Sequence, residues 1–260
     1  MKDRVSNILL GIPIGQPSLK AATDRALAAI ERTSPSIVFA CAMSHSLNVA
    51  QTDAEFAEAL RQADMVVADG VGVTVMGRLA GVDVGARIAG EEFFFSLMNA
   101  LEKRGKGRIF FFGSSNKVIE LISERFQQEF PSLELCGVVS PPFRPWSEEE
   151  NHKMIGKINR ANPDVLWVGM GAPKQEKWVY QNRKALNVPV IGSIGAVFDY
   201  FAGTNPPPPP WVRKWGLETP YRLMREPRRL WRRALISNLM FVIRVLQQHI
   251  LRVGYKAPTR

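Results

Sequence analysis

Scarce cysteine, scarce histidine and the lack of any long apolar run constrain this 260-residue chain first. Its two cysteines, Cys41 and Cys136, sit inside apolar stretches without CxxC spacing. That argues against a disulfide scaffold and for buried free thiols in a reducing compartment. The three histidines, His45, His152 and His249, are scattered without ligand spacing, so no zinc site is expected. No run of about 18 uninterrupted apolar residues occurs, which argues against a membrane-spanning helix. Met1-Lys2-Asp3-Arg4 has no long apolar run behind it, so no secretory leader is expected. Walker and GxGxxG glycine loops are missing, which counts against ATP and NAD, and no GxSxG elbow or Cys/His nucleophile pair stands out.

What is present suits one sizeable core with a small appendage, since 46% of the residues are hydrophobic. The net charge of +10 is unevenly placed. Residues 211–260 carry 12 Lys/Arg against 2 Asp/Glu, whereas residues 1–210 carry 22 of each sign. A basic tail of this kind suits an anionic surface or ligand better than a generally basic nucleic-acid binder. Five prolines in a row, 206–210, form a stiff extended spacer. The expected division is therefore a core over 1–205, a linker over 206–210 and a basic helical appendage over 211–260.

Strand and helix patterns alternate along the core. Residues 5–13 read as a short first strand and turn, and 19–30 as an amphipathic helix. A buried strand over 37–42 leads into a helix running from Ser46 through Leu60, with Asp53 as a local helix start. Met65-Val66-Val67-Ala68 is a strand, followed by a glycine-rich turn and a helix over 91–104. Strands over 108–115, 133–139, 164–169 and 188–195 alternate with helices over 118–130, 147–160 and 174–186. This is an α/β pattern with a mostly parallel sheet and flanking helices, a Rossmann-like core. Ligands collect beyond the strand C-termini of such sheets, where Asp69, Gly113-Ser114, 169–175 and 192–195 would all lie.

The central stretch is Ala68-Asp69-Gly70-Val71-Gly72-Val73, followed by Arg87 in Gly85-Ala86-Arg87-Ile88-Ala89-Gly90. It reads as a buried strand delivering a carboxylate to its open end, where glycines let a ligand approach the backbone. Such a carboxylate can take the proton of an attacking hydroxyl; an Asx-turn or helix cap is the plainer reading. The loop Gly169-Met170-Gly171-Ala172-Pro173-Lys174-Gln175 opens a helix whose free N–H groups, with Lys174, could hold phosphate, or it is an ordinary strand-to-helix turn. Asp199 could accept hydrogen bonds from a base or ribose, or be structural. In the tail, Arg222, Arg225, Arg229, Arg232 and Arg233 precede an apolar stripe of Leu235, Leu239, Val242, Ile243, Leu246 and Ile250. A basic helix leading into an amphipathic one suits an anionic membrane interface; packing on the core or on a second subunit is the alternative.

These residues together resemble the WecG/TagA/CpsF bacterial glycosyltransferases over nearly the whole chain. The likeness rests on Ala68-Asp69-Gly70-Val71-Gly72, Arg87 with Gly90, and the run from Gly169 to Trp178. It continues through Gly195-Ala196-Val197-Phe198-Asp199 with Gly203, and the tail motifs from Gly216 to Arg233. The resemblance implies an inverting, metal-independent transferase without cofactor, passing a sugar from a UDP-sugar to a polyprenyl-diphosphate-linked sugar. It would work at the inner face of the cytoplasmic membrane, peripherally attached, with no nucleic-acid partner. Asp69 then matches the general base; Arg87, Gln175, Lys174, Asp199, Gly113 and Gly171 fall around the donor; Arg222, Arg229 and Arg232 match arginines that close over the diphosphate. Without a metal, arginines are the strong source of charge for a departing UDP.

The chain departs from the family where a Thr-x-Asn pair is usual and Cys41-Ala42-Met43 stands instead. Pro141-Pro142-Phe143-Arg144, the pentaproline and Thr219 also differ from the usual pattern. Lost polar groups imply a different hydroxyl or acetamido pattern on the donor. We therefore expect glucose transfer in exopolysaccharide synthesis, with N-acetylmannosamine or its uronate onto N-acetylglucosaminyl-diphospho-undecaprenol as the alternative. A non-catalytic anion- or nucleotide-binding protein docked on the membrane is the reading of another class. An exposed amphipathic helix needs a partner away from a membrane, so a homo-oligomer is a further expectation.

Overall fold

The computed structural model describes residues 7–15, 17–32, 36–206, 208–209, 212, 221, 223–224 and 236–250, with no account of the side chains of His249 and Ile250. The chain opens with a hairpin of β1 (Ile8–Leu9) and β2 (Ile12–Pro13) where a single strand was expected. Its two turn residues, Leu10 and Gly11, have φ of 51° and 77°, the tight turn that matches strand twist. Leu9, Leu10, Ile12 and Ile14 are all buried, so the hairpin closes one end of the core.

Six parallel strands form the main sheet: β3 (Ile37–Ala42), β4 (Met65–Ala68), β5 (Arg108–Gly113), β6 (Glu134–Val139), β7 (Val165–Gly169) and β8 (Val190–Ser193). Their spatial order is β4-β3-β8-β7-β5-β6. Most of these strands are apolar at every position because both faces are covered, as parallel sheets require. The register sets Ala42 beside Ala68 and Gly113 beside Gly169, so the strand ends line up as one edge.

Helices cover both faces. Behind one face lie α1 (Leu19–Arg32), α5 (Gly90–Arg104), α6 (Asn116–Glu129) and α9 (Val197–Phe201), around an aromatic core of Phe93, Phe94, Phe111, Trp167, Phe198 and Phe201. Over the other face lie α2 (Ser44–Ala50), α3 (Ala54–Arg61), α4 (Val71–Leu79), α7 (Glu148–Ala161) and α8 (Lys174–Asn182). The chain leaves β3 toward this second face and leaves β8 toward the first. Divergence of two adjacent strand exits opens a crevice at the carboxyl edge.

Two boundaries differ from expectation. The helix from Ser46 through Leu60 is two helices, α2 and α3, with Asp53 capping α3 by accepting the Phe56 N–H at 2.9 Å. The glycine-rich turn after Asp69 is mostly helix, since α4 starts at Val71.

The tail contributes α10 (Ser237–Val245) and a π-helical turn at Leu246–Ile250. Helix α10 packs on α2 and α4 through Phe241 and Val245, both buried. Leu239 and Leu246, which belong to the apolar stripe read from the sequence, are exposed and not packed on the core. The stripe is thus divided, with core contact on one face and apolar side chains on the other. Leu235, Arg222, Arg225, Arg229, Arg232 and Arg233 lie outside the described residues, as does the side chain of Ile250. Among the described residues no helix is long and apolar enough to cross a membrane.

Candidate active site

Asp69 stands one residue past β4, and its N–H donates to the Ala42 carbonyl at 3.0 Å, which ties the strand ends of β4 and β3 together. The next residue, Gly70, has φ 105° and caps α4. No atom lies within 4 Å of where a Cβ would sit on Gly70, so the backbone beside the carboxylate faces open space. Only glycine holds that φ at little cost. The segment carrying Arg87 is brought to the same edge by the Ile88 N–H, which donates to the Ala68 carbonyl at 3.0 Å.

Arg87 is held in place by Glu92. Its Nη2 donates to Glu92 Oε1 at 2.7 Å, while Glu92 Oε2 accepts the Ala89 N–H at 2.8 Å at the start of α5. One carboxylate therefore both caps the helix and orients the guanidinium. Gly90 brings α5 close to Cys41; a Cβ there would sit 3.4 Å from the Cys41 Sγ. Burial raises the Cys41 thiol well above its ordinary value, and the charges of Asp69, Glu176 and Glu92 add to this. Cys41 is free and half-buried, and it lies within the field of the edge carboxylates. Cys136 is also free, with burial raising its thiol to about 11, and it belongs to the far edge of the sheet.

The loop after β7 supplies the second half of the edge. Gly171, at φ 78°, is exposed with open space around it, and Gln175 is 4% exposed beneath it. The Gln175 side chain accepts the Gly171 N–H at 3.1 Å through Oε1 and donates to Glu176 Oε1 at 2.8 Å through Nε2. On its other side it meets Gly195, where a Cβ would lie 3.5 Å from the amide. Gln175 thus braces the turns that follow β7 and β8. Lys174 is exposed, with its Nζ 4.3 Å from the centre of the Trp146 ring. Partial burial draws its ammonium below the usual lysine value.

The remaining expected residues divide by role. Gly113, at φ 137°, has no room for a side chain: a Cβ would lie 2.5 Å from backbone atoms of Gly169. Close strand packing alone explains glycine there. Asp199 lies in the first turn of α9, where its carbonyl accepts from Asn205 N and Thr204 Oγ1, both at 3.2 Å. Thr204 Oγ1 also lies 3.4 Å from Asp199 Oδ1, so Asp199 holds the turn that follows α9. Asp69, Arg87, Gly171, Lys174 and Gln175 are brought to the carboxyl edge. Arg222, Arg229 and Arg232 lie outside the described residues. Among the described residues, no group of three His, Cys, Asp or Glu side chains is placed to hold a metal ion.

Glu176 was not singled out from the sequence. It is 6% exposed, and burial raises its carboxyl to about 7, with the Gln175 hydrogen bond pulling the other way. A charged residue in the first turn of a helix next to Lys177 reads as solvated. It lines a cavity shared with Val38 and Ala40 of β3, Ala59 of α3 and Ser193 of β8.

A parallel α/β sheet that gathers an acid, an arginine and two glycine turns at its carboxyl edge defines a ligand-binding α/β protein with its site at that edge. The comparison with protein families is then specific. The model of the WecG/TagA/CpsF glycosyltransferases matches residues 7–254, and the chain belongs to that family. It is a glycosyltransferase. The chain is 32% identical over 188 residues to an N-acetylglucosaminyldiphosphoundecaprenol N-acetyl-beta-D-mannosaminyltransferase of Bacillus spizizenii, covering 72% of this chain and 70% of the relative. A Bacillus subtilis protein of the same name is 30% identical over 221 residues, covering 85% and 80%. A Staphylococcus aureus protein of that name is 27% identical over 197 residues, covering 76% and 75%.

Proposed function

We propose that this glycosyltransferase moves N-acetylmannosamine from its UDP-sugar to N-acetylglucosaminyl-diphospho-polyprenol, with Asp69 as the general base. The observation that carries this is the family match over residues 7–254 with Asp69 beside the open backbone of Gly70. The named relatives support the N-acetylmannosaminyl donor better than the glucose expected from the pocket substitutions.

A β-linked product from an α-linked nucleotide sugar requires inversion. The acceptor hydroxyl attacks the anomeric carbon as the bond to the diphosphate oxygen breaks, and Asp69 takes the hydroxyl proton. Arg87 and Lys174 supply positive charge to the departing diphosphate, with Arg222, Arg229 and Arg232 adding more from the appendage. Gln175 braces the donor loop, Gly113 gives its close strand contact and Asp199 stands toward the nucleoside. This reading needs no bound metal.

The chain is proposed to work at the inner face of the cytoplasmic membrane, with a core over 1–205, a spacer over 206–210 and a basic appendage over 211–260. Support comes from exposed apolar side chains beside the site. Val71, Val75 and Leu79 recur along one side of α4, which begins just past Gly70. On α10, which packs against α4, Leu239 and Met240 are exposed as well, as is Leu246 in the turn that follows. Adjacent apolar helix faces next to the catalytic edge suit a lipid-linked acceptor.

A glucose donor is the second reading, favoured by Cys41, whose thiol lies against Gly90 in the place of a family hydroxyl. A donor panel tests both. Purified protein is given glucosyl- and N-acetylglucosaminyl-diphospho-lipids with UDP-glucose, UDP-N-acetylmannosamine and its uronate. Product from the N-acetylmannosamine donors is expected. Product from UDP-glucose alone would overturn that choice, and no product at all would favour a non-catalytic anion-binding protein.

A further inference from the structure

Beneath the donor loop lies a small cavity of about 10 Å³ between α3, α8, β3 and β8, lined by Ala40, Gln62, Glu176, Tyr180, Arg183 and Ser193 among others. That is about the room of one water. Glu176 is 6% exposed and Ser193 1% exposed. Among the described residues, Glu176 Oε2 and Ser193 Oγ have no hydrogen-bond partner. Two buried oxygens without partners at one cavity are costly unless something bridges them or the carboxyl carries a proton. The other carboxyl oxygen of Glu176 accepts from Gln175, whose amide also holds the Gly171 N–H.

We propose that Glu176, which touches no substrate, is a positioning residue that latches the donor loop through the Gln175 amide. The inference rests on reading that loop as the donor site. Glu176 Oε1 fixes the Gln175 NH2, which turns the amide oxygen toward Gly171 N–H and sets the amide plane against Gly195. The protonated Oε2 donates into the cavity toward Ser193. Loss of that proton puts a charge where one hydrogen bond and a small polar cavity must satisfy it. The strain is relieved by opening the start of α8, and the Gly171 turn moves with it.

The surroundings leave Glu176 as the responsive group. Arg183, which lines the same cavity, is committed to Asp64 at 2.7 Å and to the carbonyls of Ser36 and Gln62. Lys177, on the next residue, points away to Asp53 and Glu55. From β3, the Cys41 thiol is raised and stays neutral near pH 7; from β8 comes only Ser193. Tyr180 completes the titratable lining. A carboxyl whose folded value is about 7, above its ordinary 4.5, loses stability as pH climbs between the two. The latch is therefore firmest below about pH 4.5, loosens as pH rises, and is weakest once pH passes about 7.

The deciding variant is Glu176→Gln, which keeps the acceptor for Gln175 and offers Ser193 a donor without charge. Two readouts on full-length protein separate the latch from the donor site. These are hydrogen-exchange protection of the Gly171 and Gln175 amides from pH 6 to 8, corrected for intrinsic exchange, and UDP affinity over the same range. Wild-type protein should lose roughly tenfold in protection and in UDP affinity across the range, the size of one lost buried hydrogen bond, while Glu176→Gln stays flat in both. Protection that shifts alike in both proteins, with normal turnover, would overturn the latch and leave the donor-site reading standing. Protection that shifts only in wild type, with no UDP binding, would overturn the donor-site reading and leave Glu176 as the latch of that loop. Ser193→Ala should move the midpoint of the protection profile, and an unchanged midpoint would remove the cavity from the proposal.

Discussion

Two glycines at the carboxyl ends of parallel strands do opposite jobs in this molecule. Gly113, at the end of β5, is filled in: the backbone of Gly169 occupies the place of its side chain. Gly70, two residues past β4, faces open space beside Asp69. Both have positive φ, and both sit where a ligand would be sought on topology alone. The difference teaches that glycine at a strand end marks a site only where the space it leaves is unfilled by the protein itself.

The contrast can be broken most sharply at Asp69. Asp69→Asn should lower turnover by roughly 10²- to 10⁴-fold while the melting temperature stays near wild type, because the proposed base stands at an open edge. Full turnover in that variant would remove Asp69 from the role of general base. Gly113→Ala should act the other way, costing roughly 2–4 kcal/mol in urea unfolding through backbone overlap and a strained φ. A wild-type midpoint would mean that the ends of β5 and β7 part freely. Gly70→Ala sharpens the comparison, since space is available and only φ is strained. About 1–2 kcal/mol of stability should be lost, together with donor or acceptor affinity. The smallest effect is expected at Lys177→Ala, away from both glycines. The Phe56 N–H and then Lys177 lower the Asp53 carboxyl, and Lys177 and Gln181 lower that of Glu55. That stability is present above the ordinary carboxylate values and lost as pH falls through the lowered ones. The variant should therefore cost about 0.2–1 kcal/mol at neutral pH and nothing measurable in strong acid.

The strands were legible because a parallel sheet buried on both faces leaves continuous apolar runs, as at 37–42, 65–68 and 165–169. Asp53 announced a helix start, and it does cap α3. Helix α4 was not legible. Gly72, Gly77 and the valines of this helix lower local helix propensity, and the helix forms because Val73 and Met76 are buried and Gly77 admits Val84 closely. The buried face of α10 was missed for another reason. From Leu239 to Leu246 nearly every residue is apolar, so periodicity alone cannot choose Phe241 and Val245 over Leu239 and Leu246. At the site, Asp69, Arg87 and Gln175 stood out through the glycines and motifs around them. Glu176 did not, since Val38, Ala40, Ala59 and Ser193, which share its cavity, come from β3, α3 and β8, none of them adjacent to it in sequence.

The docking of α10 has a consequence for the tail. Asn48, buried on α2, donates through Nδ2 to the Ser237 carbonyl and, at 3.2 Å, to the Ser237 hydroxyl. It accepts from Arg244 at 2.7 Å on its carbonyl and at 3.1 Å on Oδ1. His45 Nδ1 lies 3.1 Å from the same Ser237 hydroxyl. Helix α10 thus behaves as an intramolecular ligand of α2 with an occupancy of its own. A bilayer drawing that helix off must outcompete these contacts, at about 0.5–1.5 kcal/mol for each hydrogen bond exchanged for water. By linkage, whatever tightens α2 against the end of β3 raises the occupancy of α10, and an occupied α10 returns the favour to the strand edge that carries Asp69.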